Sequence, residues 1–230
     1  MEPNKIVEEI VNRNDNYVKK HNEHYFVHHI AFKHPVITLV SCSDSRVQPN
    51  VLIENPIDNM FEIENIGNQI STCEGSVSYG VLYLKTPILL ILGHSDCGAL
   101  KAFMKGYENI EDSVKKEIDN LKPVGLSKEY TAENFEEILL LNAQKNIDYQ
   151  VNFAVKTFKD IIRNGKLTVI GAYYDFKNEF GKGHGRMVIV NVNGETNKNK
   201  IKGLPVFEHI STEFKDVVID RYSTKKIKFK

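Results

Sequence analysis

V-I-T-L-V-S-C-S-D-S-R, residues 36–46, decides how the chain is read. An apolar run of strand length ends in Cys42, and Asp44 and Arg46 follow at two-residue spacing. These three residues therefore sit where a strand gives way to a loop. P-I-L-L-I-L-G-H-S-D-C-G, residues 87–98, repeats the design: a second apolar run ends in His94, and Cys97 comes three residues later. Two strand ends carrying Cys, His and Cys are most simply the two halves of one metal site.

Working outward, residues 5–33 have an irregular helical spacing of apolar residues and form an N-terminal arm over about 1–33. Within it His21, His24 and His28 fall at i, i+3 and i+7 and are expected on one helix face, polar or interfacial rather than metal-binding. Strands are expected at 36–42, 59–65, 88–93, 167–174 and 186–192. Helices are expected at 72–85, 96–105, 110–121 and 131–163, the last stopped by Asn164-Gly165. Residues from about 195 to 230 form a C-terminal extension, and no linker divides the chain, so residues 1–230 are read as a single domain. Strands alternating with helices give an α/β fold with a mainly parallel sheet. The unbroken apolar runs of the first and third strands fit burial on both faces. In such sheets ligands bind beyond the carboxyl ends of the strands, at the switch point, where both motifs lie.

At 230 residues the chain is long enough for one well-buried core. Lysine plus arginine and aspartate plus glutamate both number 30, so charge makes no case for nucleic acid or an acidic membrane. The C-terminal K-K-I-K-F-K, 225–230, reads as a solvated tail. No apolar run reaches the ~20 residues of a membrane span, and the polar start does not resemble a secretory signal. Three cysteines, Cys42, Cys73 and Cys97, do not suggest a disulfide framework. A cytoplasmic protein is expected. Cys73 is expected as a buried small apolar residue on a helix.

Two thiolates and an imidazole suit Zn²⁺, and three protein ligands leave a fourth position open, the catalytic pattern. Bound Zn²⁺ lowers the pKa of its water to about 7, making hydroxide available at neutral pH. Arg46 can hold the Asp44 carboxylate in a bidentate pair. Held so, Asp44 accepts a hydrogen bond from the hydroxide; released, Asp44 becomes a possible fourth ligand that closes the site.

The chain resembles the β-class carbonic anhydrases. The match runs over C-S-D-S-R-V at 42–47, I-G-N at 66–68 and G-H-S-D-C-G-A at 93–99, with Pro35, S-Y-G-V-L-Y-L-K at 78–85 and G-K-L-T-V-I-G-A-Y-Y-D at 165–175 in support. The resemblance covers about residues 30–190. It implies an α/β fold with a mainly parallel central sheet, four parallel strands plus an antiparallel edge strand, flanked by helices. It implies zinc on Cys42, His94 and Cys97, with Asp44 and Arg46 as the dyad that orients and gates the zinc-bound hydroxide. The reaction implied is reversible hydration of CO₂ to bicarbonate and a proton. It further implies a homodimer or dimer of dimers, with the site at the interface. The pocket for CO₂ would use Phe61, Tyr79, Gly98 and Lys33, the last standing where many members have glutamine.

The chain also departs from the family. Glu64 stands where members usually carry arginine, and Leu39 stands where a regulated subgroup carries tryptophan, so that subgroup's inhibitory bicarbonate site is expected to be absent. Lys33 and Glu64 leave open a carbonyl sulfide or carbon disulfide hydrolase on the same fold. A carbonic anhydrase-like binding protein whose site has drifted is the third alternative. The segment F-K-N-E-F-G-K-G-H-G-R at 176–186 fits neither phosphate-binding fingerprint and reads as a flexible hairpin; His184 in it is a minor candidate for proton relay.

Overall fold

A computed structural model describes residues 2–31 and 34–223. It divides into two compact units, Met1–His34 and Pro35–Lys230.

The first unit is helical. Helix α1 spans Pro3–Lys20 and α2 spans Glu23–Ala31. The arm is not one continuous helix. His21 is extended, with φ −118° and ψ 128°, and Asn22 Oδ1 accepts from Tyr25 N at 3.1 Å, capping the second helix. His21 is therefore not on a shared helix face with His24 and His28. Its ring instead lies between Tyr17 and Tyr25, with centroids 4.1 and 4.2 Å away. Helix α1 has no buried residue, and Ile6, Val7, Ile10, Val11 and Val18 are exposed.

The second unit holds the sheet expected from the sequence. Strands β1 (Ile37–Cys42), β2 (Met60–Asn65), β3 (Ile88–His94), β4 (Thr168–Asp175) and β5 (Arg186–Val192) lie in the order β2-β1-β3-β4-β5. The β1–β2, β1–β3 and β3–β4 pairs are parallel, and only β5 runs antiparallel, at the edge. Successive side chains of a strand point to opposite faces. Val40, Leu89 and Ile91 therefore enter one apolar cluster, and Leu39, Leu90 and Leu92 enter the other. Both faces are buried, so these strands read as unbroken apolar runs.

One face is covered by α4 (Gly98–Lys105), α5 (Asp112–Asp119) and α6 (Phe135–Thr157), which supply Leu100, Ile118, Ile147 and Val151. Helix α6 comes unusually close because the strands beneath it carry Gly93 and Gly171. A Cβ on Gly171 would lie 2.6 Å from Ile147 Cγ2 and 2.8 Å from Val151 Cγ2. The opposite face is covered by the C-terminal extension, through Ile201, Phe207, Val218 and Ile219.

The helix expected at 72–85 is shorter and changes pitch. Helix α3 spans Glu74–Ser78 and continues as a wider π-turn over Tyr79–Tyr83. The change falls where Gly80 presses on the sheet: a Cβ there would meet Thr38 Oγ1 at 2.2 Å. No helix among the described residues is long and apolar enough to cross a membrane. The basic tail at 225–230 lies outside the described residues.

Candidate metal centre

The chain leaves β1 towards β2 on one side and returns to β3 on the other, so β1 and β3 flank the switch point of the sheet. Cys42 is the last residue of β1 and His94 the last of β3. Asp96 then takes a left-handed backbone, φ 63°, and that turn brings Cys97 back to cap α4. The ligand atoms of Cys42, His94 and Cys97 all lie within 4.8 Å of one another, and all three residues are buried. Among the described residues no other group of three His, Cys, Asp or Glu side chains meets that condition.

The donor set fits a zinc ion. The two Sγ atoms are 4.0 Å apart. Two zinc–thiolate bonds of ~2.3 Å at a tetrahedral angle span about 3.8 Å. His94 Nδ1 lies 2.8 Å from Ser95 O, a carbonyl that only accepts, so Nδ1 carries the proton and Nε2 the lone pair. That Nε2 is buried and has no hydrogen-bond partner among the described residues. A buried imidazole nitrogen without a partner is costly unless something occupies its lone pair, and a metal does so.

The thiols are prepared unequally. The hydrogen bond from Cys97 lowers the pKa of Cys42, against the opposing effect of burial; His94 and the Gly67 N–H, 3.4 Å from Cys42 Sγ, add to the lowering. The same hydrogen bond, followed by burial, raises Cys97 above the ordinary thiol value. A divalent cation held between the two sulfurs would favour the thiolate form of both.

Asp44 stands beside this cluster, with Oδ2 3.9 Å from His94 Nε2. Arg46 Nε donates to Asp44 Oδ1 at 2.8 Å and Nη2 donates to Oδ2 at 2.7 Å; the Arg46 backbone N–H adds a third bond at 3.0 Å. The guanidinium bond is the first cause that holds Asp44 down at about 2, so the carboxylate is ionised and only accepts. Arg46 is raised in turn, by Asp44 first and Asp96 second.

The remaining expected site residues are placed differently. Phe61 and Tyr79 come together, with ring centroids 5.7 Å apart. Phe61 pairs with Thr38 near the start of β1, whereas Asn65 pairs with Cys42 at its end. Four strand residues are ~13 Å, so the aromatic pair is not brought to the Cys42 end of its own sheet. Gly98 is exposed at the first position of α4, with open space where a Cβ would stand. Lys33 lies outside the described residues. Glu64 is exposed on β2, and Leu39 is buried at 1 % exposure. Cys73 is half-buried rather than buried: it caps the helix at Glu74, donating to Gln69 O at 3.1 Å, and burial leads the causes that raise it to about 11.

Three residues around the centre carried no assignment in the sequence. Ser95 takes the His94 proton on its carbonyl. Asp96 binds Arg46 Nη1 at 3.0 Å. Phe176 lies 6.0 Å from the His94 ring and 4.7 Å from Arg46 Cζ, measured to its centroid. Phe176 opens the glycine-rich connection, which is organised about Asp175: its carboxylate oxygens accept from Glu179 N and Phe180 N, both at 2.8 Å. His184 Nδ1 lies 3.0 Å from Phe176 O in the same connection.

A family model described as carbonic anhydrase matches residues 37–183. The carbonic anhydrase of Synechococcus elongatus is 25 % identical over 190 residues, covering 76 % of this chain and 68 % of that protein. That of Synechocystis is 27 % identical over 179 residues, covering 68 % of this chain and 65 % of that protein. The chain thus spans about two thirds of the length of these relatives. Among solved structures, the β-carbonic anhydrase CcaA superposes with a TM-score of 0.66 at 22 % identity, over 82 % of this chain and 87 % of that one. The tetrameric β-carbonic anhydrases of Sordaria macrospora give 0.66 at 23 % identity, over 82 % of this chain and 98 % of that one. At such identities the structural likeness establishes the fold.

Proposed function

Since the chain belongs to the β-class carbonic anhydrase family, we propose that it is a zinc enzyme that interconverts CO₂ with bicarbonate and a proton. The observation that carries this reading is the buried Cys42–His94–Cys97 cluster, whose Nε2 has no hydrogen-bond partner among the described residues. Cys42, His94 and Cys97 would hold the ion. Zinc held by three protein ligands acts as a Lewis acid and supplies hydroxide from water near neutral pH.

The chain's own residues do the rest. His94 keeps its proton on Nδ1 by donating to Ser95, so its Nε2 lone pair faces the thiols. Arg46 keeps the Asp44 carboxylate beside the cluster and ionised. An ionised carboxylate there can only accept a hydrogen bond, so Asp44 would orient an O–H donor beside the cluster. While Asp44 makes its two side-chain bonds to Arg46, its carboxylate would not serve as a ligand. The Gly98 N–H region, open at the start of α4, suits an anionic oxygen of the product.

Phe61 and Tyr79 are far from their own cluster, and α1 exposes apolar residues. Both features support a dimer in which one copy lends the aromatic pair to the other's pocket. With its cysteines reduced, the enzyme would work in the cytoplasm.

The test is metal analysis with a CO₂ hydration assay on the wild type and Cys42→Ala. The reading predicts one zinc per chain with hydration in the wild type, and loss of both in the variant. A fully zinc-loaded wild type that does not hydrate CO₂ overturns it.

A further inference from the structure

Arg46 grips two carboxylates at once. Nε and Nη2 serve Asp44, at 2.8 and 2.7 Å, while Nη1 donates to Asp96 Oδ2 at 3.0 Å. Nη2 also approaches the Asp96 carbonyl, at 3.4 Å. The face of the guanidinium lies over Phe176, 4.7 Å from Cζ to the centroid. Asp96 is itself tied down. Its second oxygen pairs with Lys101 of α4, and Lys101 N donates to Cys97 O at 3.0 Å. Its left-handed backbone, φ 63°, is set by the turn that joins His94 to Cys97.

The two members of the dyad are therefore unequally fixed. Among the described residues, every hydrogen bond to the Asp44 carboxylate comes from Arg46. Arg46 keeps a carboxylate, a carbonyl and an aromatic face even when Asp44 is taken away. We propose that Asp96 and Phe176 hold the Arg46 guanidinium in place independently of Asp44. Asp96 is then a positioning residue that acts through Arg46. Its service is to keep Nε and Nη2 aimed at Asp44, so the geometry of the pair is set from the Arg46 side.

The significance for the reaction rests on the function proposed above; the fixed guanidinium itself does not, and the test separates the two. ¹⁵N spectra of the arginine side chains are recorded on zinc-loaded protein, the Arg46 signals being identified by their absence in Arg46→Lys. A held guanidinium shows resolved Nη signals and a protected Nε–H; a free one shows neither. The proposal predicts that Asp44→Ala keeps the resolved Arg46 signals, that Asp44→Ala with Asp96→Asn loses them, and that Asp44→Ala with Asp96→Glu recovers them in part. If the Asp96→Asn double variant fails to fold, Asp44→Ala with Phe176→Leu takes its place, with weakened protection expected. Arg46 signals already averaged in Asp44→Ala, or unchanged in the double variant, overturn the proposal. CO₂ hydration by the wild type is measured alongside. Its absence with the guanidinium held would overturn the proposed function and leave Arg46's fixed position standing as a structural fact.

Discussion

Spacing and chemistry lead to the residues of the metal centre because the fold leaves them little choice. A strand-end cysteine, with Asp and Arg at two-residue steps, stays beside that strand end whatever else the chain does. The structure accordingly holds Asp44 and Arg46 in a bidentate pair next to Cys42. What spacing does not convey is the role of a residue whose partner is distant in sequence. Asp96 sits inside the quoted motif, yet its bond crosses 50 residues to Arg46. Phe176 lies in a glycine-rich stretch that no periodicity describes, so its approach to His94 and Arg46 emerges only in three dimensions. Cys73 shows a different limit, since its residue type suggests burial while its sulfur is hydrogen-bonded at a helix cap. Burial raises its pKa to about 11, so its thiol stays protonated until the pH approaches that value. At pH 8 the thiolate fraction, and hence alkylation by iodoacetamide, should be about a hundredfold below that of an ordinary thiol. Mass-spectrometric mapping of the alkylated cysteines checks this, and fast labelling of Cys73 in folded protein would contradict it.

The strands were legible as elements, and their bounds moved by a residue or so, because burial on both faces leaves an unbroken apolar run that needs no partner information. The helices were less so. The break at His21 and the change of pitch at Gly80 arise from a local cap and a close approach to Thr38, neither of which disturbs apolar spacing enough to show. The C-terminal elements are Lys198–Lys202 and Thr212–Val218, too short for a helical period to declare itself. Their capping residues do carry a signal: Asn197 accepts from Asn199 N and Lys200 N, and Ser211 accepts from Phe214 N. A demanding contact between elements is α6 on β3 and β4. Ile147 is fully buried over Gly93 and Gly171, so added volume has nowhere to go. Gly171→Ala should destabilise the fold by about 1–3 kcal/mol, as overpacking in a filled core does. Urea denaturation measures this, and an unchanged midpoint would mean that α6 yields more readily than the contacts imply.

For the molecule as a whole, the family resemblance and the α/β sheet agree from the first motif to the last strand, while assembly was the feature least readable from one chain. An 18-residue helix with no buried residue gains little from its own propensity and needs a surface to cover. The proposed dimer supplies one, and it also explains why Phe61 and Tyr79 stand at the opposite end of β1 from Cys42. Light scattering coupled to size exclusion should give a dimer or a multiple of it, and Ile10→Asp should shift that distribution towards monomer. A wild type that remains monomeric at micromolar concentration would leave the aromatic pair without the role proposed for it. The central claim, however, is chemical. Stopped-flow CO₂ hydration on protein of verified zinc content, from about pH 6.5 to about pH 9, tests it most directly. The account predicts turnover that rises with pH through the neutral range and disappears when Cys42 is replaced by alanine. Zinc-loaded protein that hydrates no CO₂ at any pH would contradict it.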